Sequence, residues 1–286
     1  MEVVTSKVLP WEPIKIMPIG DIQFSGHNGP ADIKRLRSYL EAGMEQGAYF
    51  IGMGDYCDWL SPSNRHRLTQ AALYDTAQDV IERAAMQLED ELFEVLEPTK
   101  GRWLGLLEGH HFYTHSNGET TDQRLARLLD SRFLGTSCLY RITFRDKLAT
   151  GSTRSIVFTI WAHHGAGGAS SVSAVLLKLE KMVSAFDADL FLMGHAHRIG
   201  AAPLDYITVG SRGIPRMYHK TKLLVATGSF LRGWQQGSTV GGTPRGSYVE
   251  QRMLKPVALG GTVITATPKR LGHNCIHSLV DLRVSL

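Results

Sequence analysis

Cysteine is scarce in this sequence. Cys57, Cys138 and Cys275 are the only three in 286 residues, they lie far apart, and none belongs to a CxxC pair. That excludes a disulfide framework and a thiolate metal cluster, and suits a reducing, intracellular setting. Long apolar runs are missing too: no stretch approaches the roughly 20 residues that a membrane span needs. The opening residues, MEVVTSKVLPWEP, carry no basic-then-apolar leader pattern. A soluble, cytoplasmic protein without a membrane partner is expected. Basic blocks are also absent. The formal charge is +4 and the sequence pI about 8.9, but Lys and Arg are dispersed, unlike a nucleic-acid-binding arm. Nor is there a G-x-S-x-G elbow, a Gly-Lys-Ser/Thr phosphate loop or a Rossmann glycine fingerprint, so those three chemistries lack their motifs.

What is present is ordinary for a globular enzyme, with 43% hydrophobic and 20% charged residues. No internal repeat or low-complexity tract divides the chain, so residues 1–286 are expected to form one domain. Short apolar runs bounded by glycine read as buried strands at 14–20, 48–54, 102–109, 155–164, 188–197 and 222–229. Helical spacing fills about 30–46, 70–97, 119–134 and 170–186, as in SAVLLKLEKMVSAF with Val175, Leu176, Leu179, Met182, Val183 and Phe186. This alternation predicts an α/β fold. The Gly-rich stretch 230–261 reads as a long surface loop, and TVITATPKR and HSLVDLRVSL as closing strands.

The ends of the runs carry the chemistry. PIGDIQ ends in Asp21 and Gln23, GMGDYCD in Asp55 and Asp58, LLEGHH in His110 and His111, IWAHHG in His163 and His164, and LMGHAH in His195 and His197. Ligands of α/β sheets sit outside the carboxyl ends of the strands, so these groups would converge on one cleft. A spacing of two aims Asp21 and Gln23, or His195 and His197, to one side if strand geometry continues. Any one such residue is ordinarily a satisfied turn group. Acid and imidazole at the same end of successive runs instead form a donor set for Mn, Fe, Ni or Zn.

The order GD-x-Q, GDxxD, GHH, HHG, GHAH resembles the calcineurin-like metallophosphoesterases, over residues 20 to about 230. The resemblance implies a four-layer αββα sandwich with two mixed sheets and a dinuclear metal centre. It implies Asp21, Gln23, Asp55 and His197 around one cation. Around the other stand Asp55, His110, His195 and either His163 or His164, with His164 slightly ahead. His111 would take the place of the non-ligand His that meets the phosphate and protonates the leaving oxygen. Asp58 would be a supporting carboxylate. The cations would be divalent, manganese first, with iron, zinc, nickel or magnesium as alternatives. Gln23 stands where the family usually has His, which weakens or hardens the first position, and His110 stands where it has Asn. His115 is a reserve ligand or acid. The tail at Tyr248, Lys255, Pro256, Gly261, Val263 and Ile264 resembles bacteriophage and prophage members.

The implied function is metal-dependent hydrolysis of phosphoesters, with a phosphodiesterase on nucleotide or nucleic-acid substrates as the leading form. A nucleotide diphosphatase of the ADP-ribose/CDP-alcohol type, which also uses D-x-Q, is the alternative, and a scaffold with a decayed site is the non-enzymatic one. His27, His66, His219, His273 and His277 read as surface or turn residues and Cys57 as a core filler. Arg232 and Arg245 would reach a phosphate or stay solvated. Tyr56, Trp59, Phe112, Tyr113 and Trp234 would stack a base or pack the core.

Overall fold

The apolar runs that end in Asp or His become strands, and they divide between two sheets. The computed structural model describes residues 1–71, 73–147, 151, 153–209, 217–239, 242–269 and 280–286; Cys275, His273 and His277 lie outside them. One sheet, five-stranded as described, contains β2 (Ile14–Ile19), β3 (Tyr49–Gly52), β4 (Trp103–Leu106), β11 (Val263–Pro268) and β12 (Val280–Ser285), in the order β12-β11-β2-β3-β4. The other, seven-stranded, contains β1 (Glu2–Pro10), β5 (Ser137–Lys147), β6 (Thr153–His163), β7 (Leu190–Met193), β8 (Ile199–Val209), β9 (Met217–Ser229) and β10 (Gly260–Gly261). Its order is β1-β5-β6-β7-β9-β10, with β8 paired to β9.

Both sheets are mixed. β2, β3 and β4 run parallel, as do β6, β7 and β9, while β11, β12, β5, β8 and β10 make antiparallel pairs. The two sheets face each other. One core joins Ile16, Ile51 and Leu104 of the first to Ile142, Phe158, Leu190 and Val225 of the second. Each sheet is covered outside by helices. α1 (Ile33–Glu45), α3 (Asp75–Leu96) and α4 (Thr121–Leu128) bury Leu36, Leu92 and Leu125 against Met17, Phe50 and Leu106. α5 (Val172–Val183) buries Val175 and Leu179 against Trp161 and Phe191. The result is a four-layer αββα sandwich. Burying such side chains contributes about 1.5–3 kcal/mol each, which fixes the layers around strand ends left free for polar groups.

Several expectations need correction. The helical stretch at 70–97 is α3, which starts only at Asp75, and a separate helix that went unread, α2 (Pro62–Gln70), capped by the Ser61 side chain on Asn64 N, precedes it. The stretch at 119–134 ends as a helix at Leu128. Strands β1, β5 and β8 went unread. The Gly-rich stretch holds a short helix α6 (Tyr248–Gln251) and strand β10, and is docked at Ala31 through Leu231. Among the described residues no helix is long and apolar enough to cross a membrane.

Candidate metal centre

The polar strand ends do meet, but not by continued strand geometry. Asp21, Gln23, Asp55, His195 and His197 have φ of 49°, 54°, 54°, 66° and 53°. This is the left-handed region, uncommon for residues other than glycine and costing of order 1–3 kcal/mol each, so the chain turns sharply at every one. The turns hold one another: Asp21 N donates to Gly54 O at 2.9 Å and Gln23 N to Asp55 O at 3.1 Å. The glycine ahead of each turn allows the approach. A Cβ at Gly109 would collide with Asp55 N and Oδ1, and one at Gly54 would lie 2.6 Å from His164 Nδ1. β2, β3 and β4 deliver Asp21, Asp55 and His110 from one sheet, while β6 and β7 deliver His164 and His195 from the other. The cleft is therefore a seam between sheets.

Two groups of candidate ligands result, His110 with His164 and His195, and Asp21 with Asp55 and His164, each with its ligand atoms within 4.8 Å of one another. In the first, His110 Nδ1 and His195 Nδ1 are 3.2 Å apart, and the His164 ring stands edge-on to both. Burial first, then the charge of His164, pushes His195 down to about 4 and lowers His110, which keeps these two imidazoles neutral as ligands must be; His164 itself is raised to about 9 by Asp55 against the effect of burial, so a cation there would have to displace its Nε2 proton. His164 gives Nδ1–H to Met53 O at 2.6 Å and so directs Nε2 toward Asp55 Oδ2, 3.5 Å away. In the second group, Asp55 Oδ1 accepts the backbone N–H of His110, and that of His111 at 3.0 Å. Burial opposes ionisation of Asp55, but His164, His111 and the His110 N–H outweigh it and hold the carboxyl below the ordinary range. Burial pushes Asp21 up to about 6 despite His197 and His164 nearby. His197 Nε2 lies 3.7 Å from Asp21 Oδ1, beside the second group.

The residues fit a cation on their own chemistry. Asp21 Oδ1 and His164 Nε2 are buried without a hydrogen-bond partner, and a buried carboxylate oxygen and imidazole nitrogen left that way are costly unless a ligand completes them. Gln23 is buried beside them and turns Nε2 to Asp55 Oδ2 at 3.0 Å.

Other residues separate from the cluster. His163 lies outside both ligand groups, and its Nδ1 accepts Gly165 N–H at 2.7 Å. His111 is set apart differently: its Nδ1 gives a hydrogen bond to Asp58 Oδ1 at 2.8 Å, which raises its pKa against the effect of burial. Asp58 therefore orients His111, not a ligand. His115 is buried against Glu89 at 3.0 Å, away from the cluster. Arg232 spends its guanidinium on the carbonyls of Gly29, Pro30 and Ala31. Tyr56 is buried with its hydroxyl on Leu107 O, and Cys57 is buried beside it, so both are core; Trp234 bonds Leu254 O.

Three supporting residues were missed. Arg65 binds the carbonyls of Leu60, His110 and Phe112 and lies over the Phe112 ring, pinning the His110–His111 turn. Nothing in the sequence marks it. Asp122, buried at the start of α4, accepts Gly109 N–H at 2.8 Å; the capping box Thr120–Gln123 marks that helix start. Ser229 ends β9, a strand parallel to β7, so the polar end of KLLVATGS was the available signal.

No family model and no curated protein matches the sequence. Among solved structures the chain is similar to wild-type Vps29 of Entamoeba histolytica, crystallised in complex with Zn²⁺, with 10% identity, a TM-score of 0.33, and coverage of 95% of this chain and 98% of that one.

Proposed function

We propose that the protein is a metal-dependent phosphoesterase acting on phosphodiesters of nucleotide or nucleic-acid type. The observation that carries this reading is the pair of ligand groups sharing His164 beside an independent His111–Asp58 pair. Asp21, Gln23, Asp55 and His197 would hold one divalent cation, manganese being the first choice, and Asp55, His110, His164 and His195 the second. When bound, such a pair supplies a water of lowered pKa and neutralises charge on phosphate oxygens.

The chain's own residues do the rest. Asp55, fixed by two backbone N–H groups, is held to face both positions. His164, its Nδ1 committed to Met53 O, offers a single nitrogen in a single orientation. Asp58 keeps the proton of His111 on Nδ1 and favours the charged imidazole, which delivers its Nε2 proton to the departing oxygen. The diester preference rests on hydrogen-bond donors: Arg65, Arg198 and Arg232 direct N–H groups to backbone carbonyls, which leaves fewer of them for the extra ionised oxygen of a monoester. The tail pattern from Tyr248 to Ile264 supports kinship with phage-type members.

The test uses metal-stripped protein with Mn²⁺ restored, assayed on bis-p-nitrophenyl phosphate and p-nitrophenyl phosphate beside His195→Ala. The expected result is Mn²⁺-dependent turnover that favours the diester and is lost in the variant. No turnover of either ester, with no metal retained, overturns the reading in favour of a scaffold.

A further inference from the structure

We infer that Ser229 is a positioning residue that sets the tautomer of His197 and ties it to Asp21, so that one half of the metal centre depends on a hydroxyl from a strand that supplies no ligand. The inference rests on the metal-centre reading for its second readout only.

The argument is an accounting of one hydroxyl. A serine Oγ has one proton to donate and two lone pairs to accept. Ser229 is fully buried, so water does not share in the count. Its Oγ lies 2.8 Å from Asp21 O, a carbonyl that only accepts, so the hydroxyl proton is spent there. Leu231 N–H, 3.1 Å away, only donates and takes one lone pair. The third partner is His197 Nδ1 at 3.0 Å. With the proton already committed, Oγ meets that nitrogen as an acceptor, and Nδ1 must carry hydrogen.

The other nitrogen is thereby decided. His197 Nε2 lies 3.7 Å from Asp21 Oδ1, a buried oxygen with no hydrogen-bond partner. Left alone, that carboxylate would draw the imidazole proton to Nε2 and block the nitrogen a cation needs. Ser229 holds the proton on the far side and leaves Nε2 as a lone pair facing Asp21. The same hydroxyl, with Phe230 N–H at 3.2 Å, anchors the carbonyl of Asp21 in its left-handed turn. His197 and Asp21 are thus set by one atom, while the His110, His164 and His195 group receives nothing from it.

The experiment compares wild type, Ser229→Ala and Ser229→Thr, with folding checked by circular dichroism. Long-range ¹H–¹⁵N NMR of metal-free protein reads the tautomer of His197, and Mn²⁺ and Zn²⁺ titrations read stoichiometry and affinity. The expected result is Nδ1–H in wild type and Ser229→Thr, and loss of that signature in Ser229→Ala. One of the two cations should then weaken by about 10- to 100-fold in Ser229→Ala, with the other unchanged. An unchanged His197 signature in folded Ser229→Ala, or equal weakening of both cations, overturns the inference. A wild type that binds no cation yet shows Nδ1–H at His197 would sink the metal reading and leave the tautomer assignment standing.

Discussion

His111 follows a candidate ligand directly in the chain and yet has a different partner. Its Nδ1 is held by Asp58, three residues past Asp55 on the turn after β3, while its backbone N–H shares Asp55 Oδ1 with that of His110. A group placed to give up a proton matters in proportion to how badly the leaving oxygen needs one. Replacing His111 by Ala should therefore lower turnover of an alkyl diester by about 10²- to 10⁴-fold, and turnover of a p-nitrophenyl diester far less, since nitrophenolate leaves unaided. Metal content should stay at the wild-type value. Equal losses on both substrates would show that His111 binds phosphate instead of donating a proton.

At the scale of elements, the seam between α3 and α4 has a titration of its own. Glu89 of α3 is 1% exposed; it bonds His115 and lies 3.6 Å from Arg124 of α4, with Asp90, Asp122 and Glu119 adding negative charge. Burial pushes its carboxyl from an ordinary 4.5 up to about 8, against the pull of Arg124. A value higher in the folded state than in the unfolded one means that folding favours the protonated acid. The protein should lose stability as pH rises from about 4.5 to about 8 and lose no more from this group above it. Glu89→Gln, which keeps the shape and removes the charge, should flatten that slope and gain roughly 1–3 kcal/mol at pH 8.5, read by urea unfolding at several pH values. A variant as pH-sensitive as wild type would show that Arg124 carries the charge unaided.

Elements also show what was legible beforehand. Strands β2, β3, β4 and β7 announced themselves because they are short, apolar and largely buried, and β6 through its apolar, buried C-terminal half; four of the ten site residues follow a glycine that punctuates such runs. β5 and β8 hid because they alternate: Arg141 and Arg145 interrupt one, Pro203 and Asp205 the other, and each has an exposed face. The site's donors were legible as residue types at strand ends. Its left-handed turns were not, because Asp and His adopt positive φ only as a minority conformation, and the orientation that sets His164 rather than His163 in the candidate ligand groups comes from the Met53 carbonyl, 111 positions away in the chain.

Across the whole molecule, the donors come from two sheets whose facing sides form one core. A cation bound there adds to the docking of the sheets, so binding and folding should be linked. At about 100 times its dissociation constant, Mn²⁺ should add about 2.7 kcal/mol. At about 2–4 °C per kcal/mol for a chain of this size, that raises Tm by about 5–10 °C, an increase that a chelator reverses. Asp21→Asn, in one sheet, and His195→Ala, in the other, should each remove most of it. A melting curve indifferent to Mn²⁺ in wild type would mean that no such link exists.

The arrangement of the seam also imposes an order in time. Asp21, Asp55 and His110 are synthesised first, His164, His195 and His197 much later, and Ser229 last. A growing chain lacks His195 and His197 until β7 has been made, and Ser229 until β9 has, so an ion that needs both groups of donors would be captured only as a late event.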